Sequence, residues 1–214
     1  MNAVQYSAKA KEVVDAYNAT DKAAKSGSFW NEDKVTFVRS EIKNFYITEQ
    51  NHRCAYCNYM VPTNHNALWD AEHIISKAKN PEFLFEPRNL AISCRDCNTA
   101  KDEQEVRVNP GKKTFPDNSD DYLIVHPHFD EYEKHIRWYG SICAPYNSDK
   151  GKNTIVMCNL MRFAAKLMGI DGKVVDPEFD ELIGKLLNAK SRTSALAAIA
   201  GLTVYVEAIP QDPQ

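Results

Sequence analysis

Between residues 54 and 101 the chain reads Cys54-Ala55-Tyr56-Cys57, then Asp70-Ala71-Glu72-His73-Ile74-Ile75, then Arg88-Asn89-Leu90, and last Cys94-Arg95-Asp96-Cys97-Asn98-Thr99-Ala100-Lys101. The two Cys-x-x-Cys knuckles decide how this stretch folds. A two-residue spacer lets both sulfurs of a pair and the amides of its turn face one ion, and two such pairs close the tetrahedral four-thiolate shell of structural zinc. Such a shell has no open position, so a Zn2+ held by Cys54, Cys57, Cys94 and Cys97 would be a staple and not a reactive centre. Cys143 and Cys158 have no partner at ligand spacing and read as buried thiols.

Working outward, the chain has 214 residues, 26 Lys plus Arg, 29 Asp plus Glu and a net charge of -3. That length can bury a real core, and six cysteines behind a polar, charged start (Met1 to Lys11) suit a reducing cytoplasm, where paired cysteines hold metal more often than they bridge. No membrane span is expected, because the longest apolar tract, near Ala195 to Gly201, is short and alanine-rich. A slightly acidic chain is poorly suited to gripping DNA tightly by itself. Lys77, Lys79, Arg88, Arg95, Lys101, Arg107, Lys112 and Lys113 nonetheless fall within or just after the zinc-braced stretch, where they could follow a phosphate backbone.

The expected fold class is α+β without βαβ alternation. Residues 1–50 read as an N-terminal helical segment: an alanine- and lysine-rich helix to about Ala24, a break at Ser26-Gly27-Ser28, and a second helix from Asp33 to about Gln50. Asn31 is the expected cap of that second helix, and Val35, Val38, Ile42 and Phe45/Tyr46 form its apolar face. Residues 51–105 form the zinc-braced module, with a strand at Leu68 to Ser76 and a helix starting at the second knuckle. Residues 106–121, rich in Asn, Pro, Gly and Asp, read as a linker. Residues 122–214 read as a mixed, mainly helical region. It has extended segments at Tyr122 to Val125, His135 to Tyr139 and Ser141 to Pro145, and helices at Thr154 to Met168 and from Asp176-Pro177-Glu178 through Leu187. Ala195 to Ala200 follows, then a short strand at Leu202 to Val206.

With these residues in view, the order Glu72-His73, Asn89, Asn98 resembles the HNH endonuclease family in its zinc-braced, ββα-metal form. Asp70-Ala71-Glu72-His73-Ile74 resembles the first element, Arg88-Asn89-Leu90 the second and Cys97-Asn98-Thr99-Ala100-Lys101 the third. By position the resemblance implies that His73 is the general base, that Glu72 and Asn98 hold a catalytic Mg2+ or Mn2+, and that Asn89 orients His73 or its loop. The chemistry suits those roles. A histidine takes the proton of an attacking water, and a hard divalent ion takes carboxylate and amide oxygens while stabilising the leaving group. Lys101, one turn beyond Asn98, is a candidate for a substrate phosphate.

Two departures stand out: Glu72 occupies a position where the family more often has aspartate, and the loop before Asn89 lacks the frequent glycine pair. A regular strand also turns Glu72 and His73 to opposite faces, which makes Asp70, on the face of Glu72, a spare ligand. His126-Pro127-His128-Phe129-Asp130 has no second half of a metal site nearby and reads as a structural turn.

The region from Tyr122, including His126 to Ile136 and Asn159-Leu160-Met161-Arg162, is similar to the downstream part of nuclease subunits of bacterial anti-phage systems of the Septu kind and their retron-linked relatives. That similarity implies a DNA-cleaving, antiviral defence effector gated by an ATPase partner. The alternative reading is a zinc-braced nucleic-acid or protein binding module in which His73 is inert.

Overall fold

Ser7 starts α1 (Ala8–Asn18) by accepting the amide of Ala10 on its hydroxyl, and Glu41 fixes Ser7 in turn by accepting from both its amide and its hydroxyl. These contacts belong to a computed structural model that describes residues 1–63, 65–167 and 177–208. After α1 the chain does not continue as helix but passes through short 3-10 turns at Lys22–Ala24, Gly27–Asn31 and Asp33–Val35. Gly27 is required there: a Cβ would lie 2.5 Å from the Lys77 carbonyl oxygen, so only glycine lets this turn rest on the loop after His73.

Helix α2 (Thr36–Glu49) buries Val38, Ile42, Tyr46 and Ile47 against β1 (Asp70–His73) and β2 (Leu90–Ser93). It starts at Thr36, later than its apolar spacing suggests, with Val35 as a cap position that offers no side-chain bond, because Asn31 is taken up in an earlier turn. The strands pair antiparallel with Asp70 opposite Ser93 and His73 opposite Leu90, and α3 (Arg95–Lys101) packs on β1. The strand is shorter than expected because Asn66–Leu68 forms a 3-10 turn. Gln50 ties α2 to β2 through both backbone groups of Ile92, at 2.7 and 2.9 Å.

The chain divides into two compact units at Asp130/Glu131, downstream of the 106–121 segment. That segment is part of the first unit. Val106 accepts the amide of Leu123 and Arg107 bridges to Tyr122, which are buried interactions that its turn-rich composition does not reveal. Tyr122 to Val125 forms no strand beyond that bridge, and the first unit ends in the His126–Asp130 turn, where the His126 amide donates to the Asp130 carboxylate at 2.7 Å.

In the second unit β3 (Ile136–Tyr139) and β4 (Ile142–Pro145) pair antiparallel around Gly140, which takes a left-handed φ of 63°. Helices α4 (Asp149–Met157), α5 (Arg162–Leu167), α6 (Pro177–Leu187) and α7 (Arg192–Ala208) follow, so the single helix expected to run from Thr154 is split in two. Asp176 and Met168 lie outside the described residues. The strand expected at Leu202 to Val206 is instead the end of α7. Ala195, Ala198 and Leu202 recur at helical spacing and pack with Leu186, Ala189, Ala164, Ile142 and Ala144, and that packing outweighs the β-propensity of Thr203-Val204-Tyr205. No described helix is long and apolar enough to cross a membrane.

Candidate functional site

The first knuckle turns at Asn58, whose φ of 56° lets its amide donate back to the Cys54 carbonyl, and Ala55 donates to the Ile92 carbonyl of β2. The second knuckle follows β2 directly and opens α3. The two turns therefore meet at the end of the sheet, and one sulfur from each of Cys54, Cys57, Cys94 and Cys97 lies within 4.8 Å of the others. Amides of Tyr56 and Cys94 point at the Cys54 sulfur at 3.5 and 3.3 Å. Hydrogen bonds from its three neighbours push the Cys94 thiol down, while crowding and burial push the other three up. Four close thiolates cannot coexist without a cation, and a zinc ion is the charge that would let all four ionise. The quartet has the ligand type, number and spacing of a structural zinc site.

Glu72 lies on the strand face covered by α3. It is 2 % exposed, its Oε1 is 2.8 Å from the Nζ of Lys101, itself 1 % exposed, and it accepts the hydroxyl of Tyr56 at 2.9 Å. Lys101 also donates to the backbone carbonyls of His73 and Asp102. Glu72, expected to hold the catalytic ion, is engaged in this ion pair and lines a cleft together with His73, and Lys101, expected to meet a substrate phosphate, is buried in the same pair. The reason is geometric: α3 lies along β1, so residues one turn apart on the helix, Asn98 and Lys101, meet the alternate residues Asp70 and Glu72. Asn98 donates its amide Nδ2 to Asp70 Oδ2 at 2.9 Å.

His73 is 5 % exposed and edge-on to the Trp30 ring at 4.5 Å between centroids. Its Nε2 is 3.1 Å from the Leu84 carbonyl oxygen. A carbonyl only accepts, so Nε2 carries the proton and Nδ1 keeps its lone pair. Burial, with the Lys77 charge second, holds the imidazole down at about 3, so it is neutral near pH 7. Asn89 is fully buried. It accepts from the Ile75 amide at 2.7 Å and donates to the carbonyls of Ile75 and Phe83, and so clamps both ends of the loop whose Leu84 carbonyl holds His73.

A cleft of about 360 Å³ opens beside this strand, lined by Trp30, Asn31, Thr36, Arg39, Ser40, Lys43, Asp70, Ala71, Lys77 and Asn98. A second of about 380 Å³ shares Ala71, Lys77 and Asn98 and reaches His73. Asp70, at the first cleft, and Asn98, at both, are half-buried, and Asp70 Oδ1 and the Asn98 amide oxygen accept no hydrogen bond among the described residues. One carboxylate and one amide oxygen side by side are the donor set of a hard divalent ion that keeps several waters. Trp30, Tyr56, Arg39 and Lys43 were not singled out from the sequence. No spacing rule links them to the motif, and only Tyr56, placed inside a knuckle, carried a local signal.

In comparison with known proteins, the chain is similar to the Septu protein PtuB of Bacillus thuringiensis, with 23 % identity over 140 residues, 65 % of this chain and 49 % of the relative. The chain thus spans about half the length of the curated relative it matches. No family model and no solved structure matches it.

Proposed function

We propose that the chain is a metal-dependent DNA endonuclease of the zinc-braced HNH kind that serves in anti-phage defence. The observation that carries this reading is the meeting, around one short strand, of a histidine held in a single neutral tautomer at one cleft with an Asp70–Asn98 oxygen pair at the adjoining one, Asn98 lining both. His73 Nδ1 would take the proton of a water whose oxygen attacks phosphorus as the bond to the leaving sugar oxygen breaks. Asp70 and Asn98 would hold the divalent ion, and a bound Mg2+ or Mn2+ supplies charge stabilisation at the leaving oxygen. Asn89 would act through the loop, fixing the carbonyl that orients His73, and the Glu72–Lys101–Tyr56 cluster would set the strand on the zinc module. The defence role rests on the likeness to the Septu protein PtuB, and an ATPase partner would supply the DNA affinity that a net charge of -3 does not.

One base and one ion cut one phosphodiester at each engagement, so purified protein with Mg2+ or Mn2+ is expected to nick supercoiled plasmid before linearising it. His73→Ala is expected to stop this while zinc content stays the same. Parental cleavage by His73→Ala would refute the assignment. The alternative of a non-catalytic binding module draws on the deep burial of His73 and the engagement of Glu72, and it predicts no divalent-dependent nicking at all.

A further inference from the structure

The cleft beside Asp70 and Asn98 carries the opposite charge to the chain as a whole. Its lining holds Arg39, Lys43 and Lys77 against the single carboxylate of Asp70, in a protein of net charge -3. Two of the three cations come from α2, outside the stretch that carries the cysteine and histidine motifs. Arg39 and Lys43 are four residues apart and so project from one helix face.

None of the three is held in a direct ion pair: among the described residues neither lysine makes a hydrogen bond or an ion pair, and Arg39 bonds only to neutral oxygens, though the Asp70 carboxylate acts on Lys43 through space. The Arg39 guanidinium is nevertheless held in place, with one nitrogen on the Trp30 carbonyl and another 2.9 Å from the Thr36 hydroxyl. Trp30 is the residue whose ring meets His73, so the same residue places the guanidinium and packs the imidazole. The Lys77 backbone is fixed by the close approach of its carbonyl to Gly27, and its side chain lines the same cleft.

We propose that Arg39, Lys43 and Lys77 form a phosphodiester-binding cradle for duplex DNA, which seats a backbone phosphate over the Asp70–Asn98 pair. This rests on the nuclease reading for its purpose but not for its test. A guanidinium held in place beside two lysines that make no direct ion pair, around a cleft wide enough for a phosphate, suits backbone recognition, because each neutralised phosphate releases condensed counterions.

The test is fluorescence anisotropy of the zinc-loaded full chain with a short labelled DNA duplex, over a salt series and without added Mg2+ or Mn2+. Lys43→Gln, Lys77→Gln and Arg39→Gln should each weaken binding roughly ten-fold at low salt and lower the slope of log affinity against log salt by about one. Lys11→Gln, at an exposed residue paired with Asp15, should change neither. Lys43 and Lys77 make no bond within the protein, so their variants keep the test clear of folding defects; melting and zinc content check this. Parental affinity and slope in Lys43→Gln and Lys77→Gln would overturn the cradle, as would the absence of any salt-dependent binding by the parent. A chain that cuts plasmid while these variants bind like the parent refutes the cradle alone. One that binds through them but never cuts refutes the nuclease reading alone.

Discussion

Residues 1–130 and residues 131–208 bury different kinds of side chain. The first unit encloses Glu72, His73, Asn89, Ser93, Lys101 and Arg107, whereas Thr154 is the one buried polar side chain among the described residues of the second. There the Thr154 hydroxyl donates to its own helix, at the Lys150 carbonyl, and the core is alanine, leucine and isoleucine, mostly from β4 and three helices, α5, α6 and α7. Apolar burial is non-directional and is enough to hold such a unit together. A buried ion pair is no more stabilising than a well-packed apolar replacement, and a buried amide costs free energy unless every bond is made. In the first unit Asn89 and Lys101 hold the backbone at and after His73, so the difference separates a core that holds a shape from one that holds a site.

The comparison breaks most visibly at the zinc quartet. Cys94→Ser is expected to lose the metal and, with it, most of the roughly 10 kcal/mol or more that structural zinc lends to a small module. Elemental analysis with hydrogen exchange across residues 50–102 checks this, and retained zinc with parental protection would contradict it. Next comes the base: His73→Ala should lower plasmid cleavage by about two to four orders of magnitude. Of similar size in free energy, Lys101→Met should destabilise by about 3–5 kcal/mol, because it strands the Glu72 carboxylate in the interior. Adding Glu72→Gln to Lys101→Met should recover part of that loss, whereas additive losses in chemical denaturation would mean that the pair is not coupled.

In the second unit Leu202→Ala should cost about 2–5 kcal/mol by leaving a cavity, with zinc content unchanged. The smallest effect is one of pH. A histidine held at about 3, against an ordinary 6.5, leaves cleavage without an inflection near 6.5. The unfolded chain takes up that proton near 6.5, so the stability contributed by this group is complete above that pH and is lost as pH falls from 6.5 toward 3. A rate profile that titrates near 6.5 would mean that His73 is more exposed than its packing against Trp30 indicates.

What the sequence determined by itself was whatever depends on short spacing. The four cysteines converge because a two-residue spacer leaves each knuckle little choice of turn, and the mixed α+β character and the helix after the second knuckle follow from local pattern in the same way. Local pattern failed where packing decided: α7 runs through a stretch of strand-forming residues because alanines on one face find α6, and residues 106–121 join the first unit despite their linker composition. The same division runs through β1. Alternation alone puts Asp70 and Glu72 on one face as equivalent carboxylates. Only the placement of α3 along the strand buries Glu72 against Lys101 and leaves Asp70 beside Asn98 at the cleft, and only the fold of α2 and the turn at Trp30 brings Arg39, Lys43 and the packing of His73 to the same place. Spacing reports neighbours a few residues apart. Contacts between residues 30, 39, 43, 70 and 98 depend on how whole elements pack, and no local rule encodes that.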